Sequence, residues 1–198
     1  MKSTRGYTMT HRARAVGETR QRILDASVAL HAERLVADIS LEGVAGRAGV
    51  SVQTVLRHFG SRTGLVEASV EHAREAVVAE RRTPVGDVAA AVRTIVDHYE
   101  RRGDGVLVML AQEPHQELMA RVTADGRRLH RAWVEEVFAP HLDAAADRAT
   151  LTDLLVVATD VYTWKLLRRD RGLARDLTEN RIHLLVRSLL GTTGPAHP

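Results

Sequence analysis

Apolar and small side chains recur at helical spacing from the start of the chain, with Ile23, Ala26, Ser27 and Leu30 on one face of a segment that predicts a helix over about residues 18–34. Two short helices follow at about 41–48 and 52–59. A fourth begins near Thr63 and fades around Arg82, where Thr83, Pro84, Val85 and Gly86 break the pattern. Beyond this break the periodicity predicts helices at about 87–101, 105–112, 115–138, 151–169 and 173–190. No stretch alternates apolar and polar residues long enough to make a convincing strand, and the abundance of Ala, Leu, Glu and Arg favours helix throughout. The expected fold class is all-α. Its expected divisions are a flexible basic arm over 1–17, a three-helix head over 18–64, a helical bundle over 65–190 and a frayed tail over 191–198.

Composition narrows the function classes. Cysteine is absent, which excludes a disulfide framework and thiol chemistry and fits a reducing compartment. The basic N-terminus (Lys2, Arg5, Arg12, Arg14) has no apolar run behind it, so no signal peptide is expected. The longest apolar stretches, such as 106–111, are far too short to cross a bilayer. A cytoplasmic protein with no membrane partner is the expectation. The formal net charge of +3 is small but unevenly placed. Residues 1–62 hold ten Lys or Arg against five Asp or Glu, which leaves 18 against 20 for the remainder. A basic head on a near-neutral body points to a polyanion that meets the head only.

The informative stretch is residues 40–62, SLEGVAGRAGVSVQTVLRHFGSR, which has the spacing of a helix-turn-helix. Ser40 suits the cap of its first helix, and Ala45 is small where two helices cross closely. Gly49 stands where the chain must turn through a left-handed conformation. Ser51 suits the cap of the second helix, whose buried stripe is Val55 and Phe59. The segment resembles the signature of the TetR family of regulators, an Ala-Gly-Val-Ser turn followed by Thr and a His-Phe pair, here Ala48, Gly49, Val50, Ser51, Thr54, His58 and Phe59. The helix before it, RQRILDASVALHA over 20–32, and Gly60, Ser61 and Arg62 after it extend the resemblance. Two positions depart from the pattern. Leu56 stands where the family usually has a phosphate-binding Tyr, and Arg62 where it usually has Lys.

The DNA-binding set expected from chemistry and resemblance is Ser40, Ser51, Val52, Gln53, Thr54, Arg57, His58 and Arg62. Within it, Arg57 suits guanine, Gln53 adenine or a neighbouring edge, and Val52 a thymine methyl. Ser51, Thr54, His58 and Arg62 suit phosphates, which position a helix without reading sequence. The resemblance implies double-stranded DNA with a near-palindromic operator as partner, and a repressor released by a small-molecule effector.

The two long C-terminal helices are apolar almost all round, which demands cover on two sides. The simplest cover is a second copy, the alternative being that both helices are central in the monomer, and the resemblance implies a homodimer interface here, with Val157, Val161, Trp164, Ile182, Leu185 and Leu189 as candidates. Tyr99, Met109, Gln112, Trp133, Phe138, Asp160 and Tyr162 add aromatic and polar groups to aliphatic helices and are candidates to line an effector site. His115, His130, His141 and His183 are scattered without metal-ligand spacing, so neither metal nor cofactor is expected. An enzyme is not expected either, since GxSxG, Walker and GxGxxG motifs are lacking and the pair Gly103 and Gly105 is too little to cradle a phosphate. The alternatives are an architectural DNA-binding protein without an effector and a helical enzyme.

Overall fold

The computed structural model describes residues 4–191, with side chains from residue 14 onward. The described chain is helical with no strand, and it divides into two compact units, one up to Ala76 and one from Val77. In the head lie α1 (Thr4–Glu33), α2 (Leu41–Ala48), α3 (Val52–Phe59) and the start of α4 (Arg62–Glu80). In the body lie α5 (Val88–Gln112), α6 (Glu117–Val137), α7 (Ala139–Asp143), α8 (Arg148–Ala158), α9 (Val161–Lys165) and α10 (Arg175–Gly191).

Local chemistry sets the helix ends in the head. The Ser40 hydroxyl accepts from the Gly43 amide at 3.1 Å and the Ser51 hydroxyl from the Thr54 amide at 3.1 Å, satisfying donors that the first helical turn leaves free. Gly49 has φ 66° and ψ 40°, the left-handed stop that glycine adopts without a Cβ penalty, and the Val50 amide closes back on the Ala45 carbonyl at 3.0 Å. Ile23, Leu24, Val44, Val55 and Leu65 are the buried centre of this unit. The three-helix head and its turn therefore match the expectation.

The body departs from the sequence reading in three places. The helices expected at 87–101 and 105–112 are one helix, α5. Gly103 does not break it: the Trp164 ring occupies the space beside it, so that a Cβ there would stand 2.5 Å from the ring. The single helix expected at 151–169 is divided at Thr159 and Asp160, where the Asp160 carboxylate accepts from the Tyr162 amide at 2.8 Å and starts α9. Its continuation closes with a π-helical turn, Leu166–Asp170. The short α7, opened by Pro140, was not foreseen. At the N-terminus, residues 4–17 belong to α1 rather than to a flexible arm, since nothing there breaks a helix strongly enough to stop it. Residues 1–3 of the expected arm and 192–198 of the expected tail lie outside the described residues.

Candidate nucleic-acid interface

Helix α3 offers the polar surface that the sequence predicted. Val55 is fully buried, which fixes the helix against α1 and α2 and turns Gln53 and Arg57, one turn apart, outward. Both are exposed, and among the described residues neither has an ion pair or a hydrogen bond within the chain. Two long side chains with amide and guanidinium donors are thus available to an outside ligand.

Ser51 and Thr54 share a hydroxyl–hydroxyl bond of 3.0 Å, and the Ser51 oxygen also receives the Thr54 amide. One bond between two hydroxyls uses one of their two protons, so the other remains for an outside acceptor such as a phosphate oxygen. His58 is half-buried with its ring 6.1 Å from that of Phe59. Leu56 is 38 % exposed, an apolar side chain on the polar face.

Three members of the expected set have a role inside the head. Val52 is half-buried and packs against the hydrophobic core, which leaves part of its side chain for the expected thymine contact. Ser40 is the cap of α2. Arg62 donates one of its five guanidinium hydrogens to the Ile39 carbonyl at 3.0 Å, which ties the loop before α2 to the start of α4.

Other residues that shape this face have no signature in the sequence. The Arg20 guanidinium lies over the Phe59 ring at 5.2 Å, holding α1 to the end of α3. His72 Nε2 meets the Asp25 carboxylate at 2.8 Å, and Gln21 joins them at 3.1 and 3.2 Å, so α1 and α4 are clamped by polar groups. Arg47 is held by Glu33 through contacts of 2.5 and 2.7 Å, and this hydrogen bonding lowers the Glu33 pKa. Such contacts join residues far apart in sequence, which periodicity does not register.

The candidate effector residues are brought together only in part. Tyr99, Trp133 and Phe138 are buried in one core, with Phe138 edge-on to Trp133 at 6.2 Å. The Tyr99 hydroxyl donates to the Thr159 carbonyl at 3.1 Å and the Trp133 indole to the Arg81 carbonyl at 2.9 Å. Gln112 is buried and Met109 half-buried, but they lie about 15 Å or more further along α5 from Tyr99. Tyr162 is 57 % exposed, which removes it from any enclosed site in this unit.

The candidate dimer residues divide in the same way. Val161, Trp164 and Ile182 are buried in the body's own core, so these three are corrected from interface to interior, while Leu189 is half-buried against that core. Val157 and Leu185 are exposed, together with Leu154 and Leu184, on helices α8 and α10 that pack on each other. Both faces of these helices are apolar, and a sequence does not say which face the chain itself covers.

No membrane crossing is built from these elements: among the described residues, no helix is long and apolar enough to span a bilayer.

Comparison with known proteins agrees with the head's geometry. Residues 23–69 match the sequence model of the bacterial regulatory proteins of the tetR family. Among solved structures, a TetR-family transcriptional regulator from Streptomyces coelicolor is similar over 89 % of this chain and 96 % of its own, with 20 % identity and a TM-score of 0.69. A TetR-like transcriptional regulator from Rhodococcus sp. RHA1 is similar over 87 % of this chain and 96 % of its own, with 17 % identity and a TM-score of 0.61. A multidrug binding protein complexed with imidazole is similar over 90 % of this chain and 92 % of its own, with 23 % identity and a TM-score of 0.55. At these identities the likeness is one of fold. No curated protein sequence matches the chain.

Proposed function

We propose that this chain is a TetR-family transcriptional regulator, a homodimeric repressor that reads a near-palindromic operator and is released by a small molecule bound in the body, a reading supported by the match of its N-terminal segment and by its fold. The observation that carries this reading is the outward pair on α3. Gln53 and Arg57 stand exposed and unpaired on a short helix that is capped at Ser51 and anchored by Val55. A helix fixed in that way can enter a major groove and bring an amide and a guanidinium to base edges. The leftover hydroxyl proton of Ser51 and Thr54 and the free donors of Arg62 suit the flanking phosphates.

Dimerisation is supported by the exposed apolar row on α8 and α10, since a second copy would cover Leu154, Val157, Leu184 and Leu185. Two symmetry-related heads would then meet half-sites about one helical turn, roughly 34 to 36 Å, apart. An intracellular place of action, the cytoplasm, follows from a DNA partner.

Titration of labelled DNA from the region upstream of the coding gene, against random DNA in the same salt, tests the reading. The expected preference for one inverted repeat is on the order of a thousandfold or more. Equal affinity for random DNA would overturn sequence-specific regulation and favour an architectural binder.

A further inference from the structure

Directly after α4 the body buries a cation that closes on no carboxylate. Arg81 is 9 % exposed, yet among the described residues its guanidinium forms no ion pair with a carboxylate. The adjacent Glu80 is engaged elsewhere, by Arg102 at 2.6 Å and His98 at 3.0 Å. Arg81 Nε has no hydrogen-bond partner, and Nη1 meets only His130 Nδ1 at 3.5 Å. The Tyr99 ring centre lies 5.8 Å from the guanidinium carbon, and its phenol oxygen adds only a marginal contact. Asp160 attracts Arg81 from beyond ion-pair distance, its carboxylate turned to the Tyr162 amide.

No carboxylate lies within ion-pair distance of the guanidinium among the described residues, and the imidazole that it meets is neutral. For His130 Nδ1 to accept from Arg81, the imidazole carries its proton on Nε2, which then donates to the Val156 carbonyl at 3.3 Å or the Thr159 hydroxyl at 3.2 Å. Thr159 in turn donates to the Leu155 carbonyl at 2.7 Å. Burial, reinforced by the Arg81 charge, holds His130 down to about 4, so it is neutral at physiological pH. One donor of the planar fork, Nε, is therefore left buried without an acceptor and another, Nη1, with only a long contact, a costly arrangement unless an anion completes it. A guanidinium matches a carboxylate bidentately, and one unpaired cation neutralises one negative charge. The aromatic rings of Tyr99 and Trp133 supply the adjoining apolar wall.

We propose that the body binds an organic monocarboxylate with an apolar or aromatic body, its carboxylate held by Arg81 and its body lodged against Tyr99 and Trp133. This rests on the reading of the body as an effector-binding unit and names the chemical class of the effector. The test uses the full chain and three probe pairs, benzoate with benzamide, phenylacetate with phenylacetamide, and octanoate with octanamide, in thermal denaturation followed by circular dichroism. At about a hundred times its Kd, at least one carboxylate is expected to raise the Tm by roughly 5 to 10 °C, with little effect from its amide. Arg81→Met is expected to lose this response while remaining at least as stable as the wild type without probe. If Arg81→Met does not fold, Arg81→Lys, which keeps the charge but not the fork, is expected to show a smaller rise than the wild type. Carboxylates that stabilise no better than their amides, or a response undiminished in the Arg81 variants, would overturn the proposal. Operator release by probes without a carboxylate preference would overturn it and leave the effector reading standing. Binding through Arg81 that leaves operator affinity unchanged would support the site and overturn the effector reading.

Discussion

On the head, Arg57 stands exposed without an ion pair among the described residues, whereas in the body Arg127, Arg168, Arg169 and Arg175 each close on a carboxylate contributed by α5 or the turn after it: Glu113, Glu100, Asp104 and Asp97. The same residue type serves opposite ends. A paired arginine fixes one helix to another and has little charge left to show a ligand. An unpaired one leaves its own fold almost untouched and keeps its field for a partner. The positive balance of residues 1–62 matters because at least part of it is uncommitted, not because of its size.

The comparison breaks most visibly where the body is closed on itself. Gly103→Leu forces a side chain into the Trp164 ring and is expected to cost about 3 kcal/mol or more, read as a fall in Tm or a loss of folded protein. A mild effect would mean that α5 and α9 are free to separate.

Acid acts on the same unit through its buried histidines. Burial and the Arg81 charge pull His98 down to about 3 and His130 to about 4, from ordinary values near 6.5. Their folded pKa values lie below their unfolded ones. The unfolded chain therefore takes up protons first, and stability is full above pH 6.5 and lost as pH falls toward 4 and below. The maximal slope is about 1.4 kcal/mol per pH unit for each histidine. Glu80, held to about 2 chiefly by Arg102, adds a further loss below about pH 4.5. Denaturant titrations at stepped pH are expected to show this decline, and His98→Gln with His130→Gln to flatten it.

Next in size is Glu100→Ala, which strips the acceptor from the Trp164 indole at 2.9 Å and from Arg168 at 2.9 Å and is expected to cost about 1 to 3 kcal/mol. Smallest in stability are the head arginines. Arg47→Ala removes an exposed pair and is expected to change stability by less than about 1 kcal/mol. Arg57→Ala is expected to leave the Tm unchanged while costing about 1 to 3 kcal/mol in binding to the cognate operator and relaxing one base preference. An equal loss on all DNA sequences would assign Arg57 to phosphate.

The head was legible because its signals are local. Ser40, Gly49 and Ser51 act on backbone groups within three or four residues of themselves, so spacing alone places them. The α8 and α9 junction was legible in principle, since Thr159 and Asp160 interrupt an apolar run with a capping side chain. Both-sided apolarity hid the cap and also misassigned Val161, Trp164 and Ile182 to a partner. Gly103 read as punctuation because its reason, Trp164, lies far along the chain. Arg81 carried no signal at all: an arginine beside a helix end is normally solvated, and only tertiary packing buries it.

Both tryptophans of the chain, Trp133 and Trp164, are buried in the unit that begins at Val77, and the head contains none. Intrinsic indole emission is therefore a spectroscopic label confined to one of the two units. Loss of a blue-shifted emission reports unfolding of the body alone, while far-ultraviolet ellipticity reports helices in both. Non-coincident transitions by the two probes would show that the units melt independently, and coincident ones that they melt as a single cooperative block.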